Sequence, residues 1–175
     1  DDVTIAEVGV EYIDSESIDQ SQKNFNGVDL VNSGKYFAQS FKTKFQQLSR
    51  VKLLLNTSSI NSGQINVMIT PNLDNGDNWD PIISKLTSPY ILLKDSARLW
   101  VEVDFERDID LIPGNTYYII VCWGTGIYNW CFSDENPYSD GESYYSNSPP
   151  ADPDATWSSQ SSKDFCFLTY GKEES

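Results

Sequence analysis

The sequence contains no histidine, and this absence removes much of enzyme chemistry. Histidine is the commonest general base near neutral pH, and it supplies the Ser-His and Cys-His nucleophile pairs and the ligands of many zinc sites. The commonest hydrolase designs are therefore excluded. We expect a protein that is not an enzyme.

Basic side chains are also scarce. The 175 residues include 12 Lys and Arg against 26 Asp and Glu, which gives a formal net charge of −14. Nucleic acids and anionic membranes bind basic surfaces, so neither is an expected partner. No apolar run reaches the length of a membrane span, so we expect no membrane insertion. The sequence does not open with a basic, apolar leader, and Asp1 is not an initiator residue, so we expect a processed or trimmed product.

The sequence has three cysteines, and none shows metal-ligand spacing. Cys122 and Cys131 lie at unequal distances from the turn between them, too far out of register for a disulfide. Cys131 and Cys166 each lie between aromatic residues. We expect buried free thiols that act as small apolar residues, with a Cys131–Cys166 disulfide as the alternative.

The residues that are abundant are typical of an all-β protein. Aromatic residues make up 13% of the chain, and Ser, Asn, Asp, Gly and Pro recur between short apolar runs. A chain of this length suits one domain that buries roughly 70% of its unfolded surface. The many strand candidates and few helix signals predict an all-β, two-sheet β-sandwich of jelly-roll type.

The stretch 111–133 dominates this pattern. A turn at Pro113 precedes an apolar run at 117–123, and a second run follows at 127–132 after a Gly-rich interruption. β-branched and aromatic residues prevail in both runs, which favours strands over a helix. We predict that the two runs pair as a hairpin in the middle of a sheet.

Other segments show weaker or shorter strand patterns. Phe37, Phe41 and Phe45 recur every four residues, which suits one face of a helix and also one face of a strand. The polar segment 14–27 predicts either a loop or a weak edge strand. The remaining strand candidates are 50–55, 64–70, 99–105, 142–145 and 164–171.

The segment 71–80 is the most loop-like part of the sequence. Its acidic residues Asp74, Asp77 and Asp80 surround a Gly turn and offer oxygen ligands for calcium, but the EF-hand spacing is missing. We favour an ordinary Asx turn and keep a structural calcium ion as the alternative. No other cofactor is expected.

The predicted strand at 99–105 carries Glu102 and Asp104 on its polar side. Paired carboxylates on one face are the arrangement of a glycosidase, in which one acid protonates and the other attacks or activates water. Carboxylates on an exposed strand are more often solvated, so we interpret these as surface groups.

We expect Trp100 and Trp157 to lie in the core.

Aromatic residues beside amides and acids are the chemistry of a sugar-binding surface, because rings stack on sugar faces while polar groups bind the hydroxyls. Trp79 lies in the polar loop, and Tyr128, Asn129 and Trp130 follow one another in a predicted strand. We predict a glycan-binding site at these four residues. A core position for Tyr128 and Trp130 remains the open alternative.

The first residues of the chain are too apolar for a solvated tail. Residues 1–12 alternate apolar and polar, so we predict an ordered strand on a sheet edge. This strand packs on its own domain or pairs with a neighbouring subunit. We therefore predict one domain over 1–175, with an extra strand at 1–14, a sandwich core at 15–171 and a charged tail at 172–175.

Several short motifs, taken in order, resemble the secreted bacterial and archaeal β-sandwich modules called choice-of-anchor domains. The resemblance runs from about Ile18 to Gly171 and leaves residues 1–12 outside. The motifs are Asp19-Gln20-Ser21-Gln22, Ala38-Gln39-Ser40-Phe41, Pro113-Gly114-Asn115-Thr116-Tyr117-Tyr118, Asn136-Pro137-Tyr138, Gly141-Glu142, Trp157, Asp164-Phe165, Phe167 and Tyr170-Gly171.

The resemblance implies a non-catalytic module that is secreted or carried on the cell surface, often within larger extracellular proteins, and similar in shape to carbohydrate-binding jelly rolls. It also implies that 37–45 is a strand. The sequon Asn56-Thr57-Ser58 is compatible with export. Two functions follow as expectations: binding of a polysaccharide or surface glycan, and a structural surface or filament subunit that self-associates through residues 1–12.

Overall fold

The computed structural model describes residues 16–31, 34–56, 66–73, 83–87, 98–122, 128–150 and 152–173. The regular secondary structure within these ranges consists of β-strands. The strands are β1 (Ser17–Gln22), β2 (Gly27–Val31), β3 (Tyr36–Lys42), β4 (Gln47–Asn56), β5 (Asn66–Thr70), β6 (Ile83–Thr87), β7 (Arg98–Asp110), β8 (Thr116–Cys122), β9 (Tyr128–Ser133), β10 (Ser143–Ser146), β11 (Ser158–Gln160), β12 (Asp164–Phe165) and β13 (Phe167–Lys172).

These strands form two sheets that pack face to face. The six-stranded sheet has the order β11-β10-β3-β8-β5-β6, and the seven-stranded sheet contains β1, β2, β4, β7, β9, β12 and β13. Each pairing between described strands is antiparallel. The prediction of an all-β, two-sheet β-sandwich is confirmed.

The hairpin predicted for the stretch 111–133 is wrong. Strand β8 lies between β3 and β5 in the six-stranded sheet, whereas β9 pairs with β2, β12 and the end of β4 in the other sheet. The chain therefore changes sheets between Cys122 and Tyr128. A run that is apolar on both faces carries no alternation to show which neighbour it pairs with, so sequence proximity was a poor guide.

The core lies between the inner faces of the two sheets. Val51, Leu53 and Leu55 alternate along β4 and are each 0% exposed, because successive strand residues point to opposite faces. Phe37 and Phe41 occupy the inner face of β3 in the same way, so the strand interpretation of that segment is correct. Burying each such side chain contributes about 1.5–3 kcal/mol.

Aromatic contacts join the two sheets across this core. Trp130 of β9 stacks on Phe165 of β12, with ring centroids 4.1 Å apart and planes at 12°. Phe165 also meets Phe37 of the opposite sheet edge to face at 5.5 Å. Phe41 and Phe167 make a second contact between the sheets at 6.3 Å. The centre of the sandwich is therefore filled by interlocking rings.

Cys131 and Cys166 are buried free thiols, as predicted. They pack with Leu54, and the backbone N–H of Cys166 donates to the carbonyl oxygen of Cys131 at 2.8 Å. Burial raises the pKa of Cys166 to about 12 and also raises the pKa of Cys131. Both thiols therefore remain protonated at neutral pH, which makes them poor nucleophiles.

Strand β1 lies at the edge of the seven-stranded sheet, where it pairs with β13. The polar segment 14–27 therefore contains the edge strand that was one of its two predicted states. Strands β2, β6 and β11 were not predicted. The predicted strand at 1–12 lies outside the described residues. Among those that are described, no helix is long and apolar enough to span a membrane.

Candidate functional site

A row of apolar side chains crosses the outer face of the six-stranded sheet. Tyr144 of β10 lies opposite Ala38 of β3, which lies opposite Ile120 of β8. Ile120 in turn lies opposite Met68 of β5. These positions alternate with inward-facing core residues, so they share the outer face. Ala38, Ile120 and Met68 are buried, and the half-buried side chains that pack against these three are Tyr36, Leu73, Tyr118, Tyr144 and Trp157.

Tyr118 and Tyr144 are the centre of this outer surface. Their rings meet edge to face, with centroids 5.6 Å apart and planes at 69°. Both rings line two grooves of about 470 Å³ each. The acidic groove is also lined by Ser40, Asn136, Asp140, Glu142 and Ser161. The Trp157 groove is also lined by Asn72, Leu73, Thr156 and Trp157.

The carboxylate of Glu142 is held in a fixed orientation. The Tyr144 hydroxyl donates to Oε1 at 2.7 Å, and the Ser159 hydroxyl donates to Oε2 at 2.8 Å. The pKa of Tyr144 is raised well above its ordinary value. Burial is the largest cause, and the hydrogen bond to Glu142 is the second largest. Tyr118 also hydrogen-bonds to Tyr144. Two tyrosines and an acid therefore form one connected polar chain beside the aromatic rings.

The backbone that carries Glu142 is tied to strand β3. The Glu142 N–H donates to Ser40 Oγ at 2.9 Å, and the Ser40 N–H donates to the Glu142 carbonyl at 3.0 Å. Gly141 allows this approach, because a Cβ atom there would lie 2.2 Å from the Ser40 carbonyl oxygen. The carboxylate of Glu142 is thus positioned by the sheet itself.

A buried polar network anchors the other end of this loop. Asp164 is 0% exposed, and its Oδ2 accepts from the Tyr138 N–H at 3.0 Å while its Oδ1 accepts from Gln39 Nε2 at 3.2 Å. The Tyr138 hydroxyl donates to Gln20 Oε1 at 2.8 Å. Burial raises the pKa of Asp164 and raises that of Tyr138 to about 12. The network joins β1, β3 and β12 to the segment that leads to the acidic groove.

Trp157 forms one wall of the second groove. Its indole nitrogen is buried and has no hydrogen-bond partner among the described residues. An unpaired buried donor costs free energy, so a group of this kind is typical of a site that is completed by a ligand or by ordered water. The expectation that Trp157 lies in the core is wrong, since the residue is half-buried on the outer face.

The structure contradicts the predicted glycan-binding role of Tyr128 and Trp130 on β9. Tyr128 is 1% exposed and Trp130 is 0% exposed, so neither ring is accessible to a sugar. The indole N–H of Trp130 donates to the Cys166 carbonyl at 3.0 Å. The two rings share one face of the strand, as alternation requires, but this face is turned toward the core. Asn129 between them is half-buried.

The structure does not describe the other predicted site residues. Trp79 and the candidate calcium ligands Asp74, Asp77 and Asp80 lie outside the described residues. Within the described ranges, no group of three or more Cys, Asp or Glu residues is placed to hold a metal ion. Trp100, which we expected in the core, is 37% exposed on β7.

Glu102, one of the two carboxylates considered for a glycosidase, lies at the surface as predicted, with its side chain 37% exposed. Glu102 forms an ion pair with Arg50 on the adjacent strand β4. The same guanidinium binds Glu16 at 3.0 Å and lies 4.1 Å from the ring centroid of Tyr170. Asp104 lies opposite Arg50 in the strand register. Glu102 is therefore part of a surface ion-pair cluster, and its charge is compensated within the protein.

The residues that line the grooves were not predicted from the sequence. Tyr118 lies in a run that is apolar on both faces, so its outward direction follows only from the direction of its neighbour Tyr117. Tyr144 and Trp157 come from short strands and turns, where periodicity is weak. A comparison with protein-family models found no match for this chain, and a comparison with curated proteins found none either.

Proposed function

We propose that this chain is a non-catalytic carbohydrate-binding module whose ligand lies across Tyr118 and Tyr144 on the outer face of the six-stranded sheet. The observation that carries this proposal is that both half-buried rings line two grooves at once. Tyrosine rings stack on the apolar faces of sugars, and nearby hydroxyl and carboxylate groups bind sugar hydroxyls. The grooves offer both kinds of contact.

A hydrolase is the competing function for the same grooves, because the acidic groove contains Asp140 and Glu142. A glycosidase needs one carboxyl group that donates a proton to the leaving oxygen. Both oxygens of Glu142 instead accept hydrogen bonds from protein hydroxyls. A group placed in this way suits the role of hydrogen-bond acceptor for a ligand rather than that of proton donor. The arrangement therefore favours binding over hydrolysis.

We also propose that the module is exported and acts on extracellular polysaccharide or surface glycan. The support is the sequence resemblance to secreted β-sandwich modules. The low number of basic residues agrees with this role, since polysaccharide recognition through stacking and hydrogen bonds needs no cationic surface.

The test is a binding titration against a panel of polysaccharides by calorimetry and NMR chemical-shift perturbation. Tyr118→Ala and Tyr144→Ala should each weaken binding by about tenfold or more, because each removes a stacking face at the centre of the site. Trp100→Ala is the matched control. Its ring is 37% exposed on the other sheet, so its removal should leave affinity unchanged.

Two outcomes would contradict the proposal. One is that no polysaccharide binds, or that binding is unaffected by both tyrosine variants. The other is release of reducing sugar that is abolished by Glu142→Gln, which would identify a hydrolase.

Assembly through residues 1–12 remains the second candidate function. The specific observation in its favour is that β1, which follows this segment, is an edge strand of the described sheet. A free sheet edge accepts an additional strand through backbone hydrogen bonds. Size measurements over a range of concentrations should then show oligomers that disappear when residues 1–12 are deleted. A monomer at every concentration, destabilised by the deletion, would mean that the segment packs on its own domain.

A further inference from the structure

The acidic groove contains a carboxylate with unused acceptor capacity. Each carboxylate oxygen has two acceptor positions, so the group accepts about four hydrogen bonds in all. Tyr144 takes one position on Oε1 of Glu142, and Ser159 takes one on Oε2. The remaining positions can accept from a ligand. Because Ser40 fixes the backbone of Glu142, these positions have a defined direction in the groove.

The surroundings of this carboxylate favour a positively charged donor. A hydrogen bond from an ammonium group to a carboxylate is roughly twice as strong as one between neutral groups. Aromatic faces also attract cations, and the rings of Tyr118 and Tyr144 line the same groove. Asp140, on the loop that leads to Glu142, adds a second negative charge.

No Lys or Arg is among the described residues that line either groove. Lys42 lies two residues beyond Ser40 on β3, on the same face of the strand, but it does not line the grooves. The chain as a whole carries a formal charge of −14. A field of this sign repels uronic-acid and sulfated glycans and attracts cationic ones.

We propose that the acidic groove selects glycans that carry free, protonated amino groups, such as polymers of glucosamine, with Glu142 receiving the ammonium group beside the rings of Tyr118 and Tyr144. This inference rests on the proposed carbohydrate-binding function and names its ligand class. Neutral sugars with a hydroxyl or an acetamido group at the same position bind more weakly, because neither supplies a charge-assisted hydrogen bond.

The experiment compares three hexasaccharides that share a β-1,4 backbone and differ at one substituent: a glucosamine hexamer, an N-acetylglucosamine hexamer and cellohexaose. Affinities are measured by calorimetry at a pH where the amine is protonated, in low and high salt. The glucosamine hexamer should bind about tenfold tighter than the other two or better. This preference should decrease in high salt, because a charge–charge contact in an open groove is screened.

Glu142→Gln keeps the shape of the side chain and removes its charge, so it should abolish the preference while leaving the weak binding of cellohexaose. Asp140→Asn should reduce the preference in part. Glu102→Gln is the control, because that carboxylate is paired with Arg50 on the other sheet, and it should change nothing. NMR spectra of each variant establish that it is folded.

The outcomes separate the two proposals. If the neutral hexamers bind as tightly as the glucosamine hexamer, or if the preference survives Glu142→Gln in a folded protein, the charge selectivity is wrong while carbohydrate binding stands. If none of the three hexamers and no polysaccharide of the panel binds, both proposals are wrong.

Discussion

Trp130 and Phe165 stack nearly parallel at 4.1 Å inside the sandwich, whereas Tyr118 and Tyr144 meet edge to face at 5.6 Å on its outer surface. The first pair is 0% exposed, and each ring is enclosed by other core side chains. The second pair is half-buried and borders two grooves. The interior pair therefore completes the protein's own packing, while the surface pair keeps area that another molecule can cover.

The polar groups around the two pairs differ in the same way. Asp164 and Glu142 each accept one hydrogen bond on each carboxylate oxygen. Asp164 is 0% exposed, so its carboxylate is enclosed by the protein, whereas Glu142 lines a groove, where its remaining acceptor positions can receive donors from another molecule. Access from the groove thus separates the candidate binding network from the structural one. Substitutions in matched positions test this distinction.

The largest effect is expected for Trp130→Ala. Removing a fully buried ring that stacks on Phe165 should lower the free energy of unfolding by about 3–5 kcal/mol. Tyr118→Ala on the outer face should lower it by only about 1 kcal/mol, in the range of cross-strand pair energies. Urea denaturation followed by tryptophan fluorescence measures both. Similar losses for the two variants would show that the outer face is as tightly packed as the core.

Asp164→Asn is the next largest expected change. Both carboxylate oxygens accept from N–H donors, and an amide replaces one of these acceptors by a donor that faces Tyr138 N or Gln39 Nε2. We expect a loss of about 1–3 kcal/mol in the free energy of unfolding.

This loss should depend on pH. Burial raises the pKa of Asp164 above 3.8, so the folded protein binds this proton more tightly than the unfolded chain does. The corresponding stabilisation is fully present below pH 3.8 and is lost as pH rises through the raised pKa. The difference between the natural protein and Asp164→Asn should therefore be larger at about pH 4 than at about pH 7. A difference that grows with pH would contradict the assigned shift.

The smallest effect is expected from removing single hydroxyl groups. Tyr138→Phe takes a donor from Gln20 Oε1 and an acceptor from the Lys42 N–H in the interior, and it should cost about 1–2 kcal/mol. Tyr144→Phe removes a hydroxyl at the groove, where water can replace it, and should cost about 0.5 kcal/mol or less. Thermal unfolding of the two variants side by side gives the comparison. A larger loss for Tyr144→Phe than for Tyr138→Phe would contradict this comparison.

The sheet architecture could be predicted from the sequence because most strands are short runs rich in β-branched and aromatic residues, separated by turn residues. The alternation in 99–105 predicted β7 and the inward direction of Val101, Val103 and Phe105, and the run 50–55 predicted part of β4. The pairing of β8 and β9 was not readable. Strand β8 is apolar on both faces, and the alternation in β9 shows only that Tyr128 and Trp130 share a face. The local sequence therefore does not show which sheet each strand joins, and this is settled by packing at long range.

The sequence predicted the kinds of side chain that form the candidate site but not their positions in the fold. Aromatic rings beside carboxylates and amides were expected, and the grooves have them. The sequence located them at Tyr128 and Trp130, because alternation shows that two rings share a face but not whether this face is inner or outer. Tyr118 and Tyr144 come together only through β3, which pairs with both of their strands. Contacts between strands distant in sequence are beyond any local pattern.

The pairing of the first described strand with the last affects how the chain is made. The backbone N–H of Gln20 donates to Thr169 Oγ1, across 149 positions. A ribosome adds roughly 5–20 residues per second, so β13 is synthesised on the order of ten seconds after β1. During that time β1 has an unpaired edge, and the seven-stranded sheet cannot close. The excess of acidic residues, which repel one another and other copies of the chain, opposes aggregation of the unfinished chain until β13 appears.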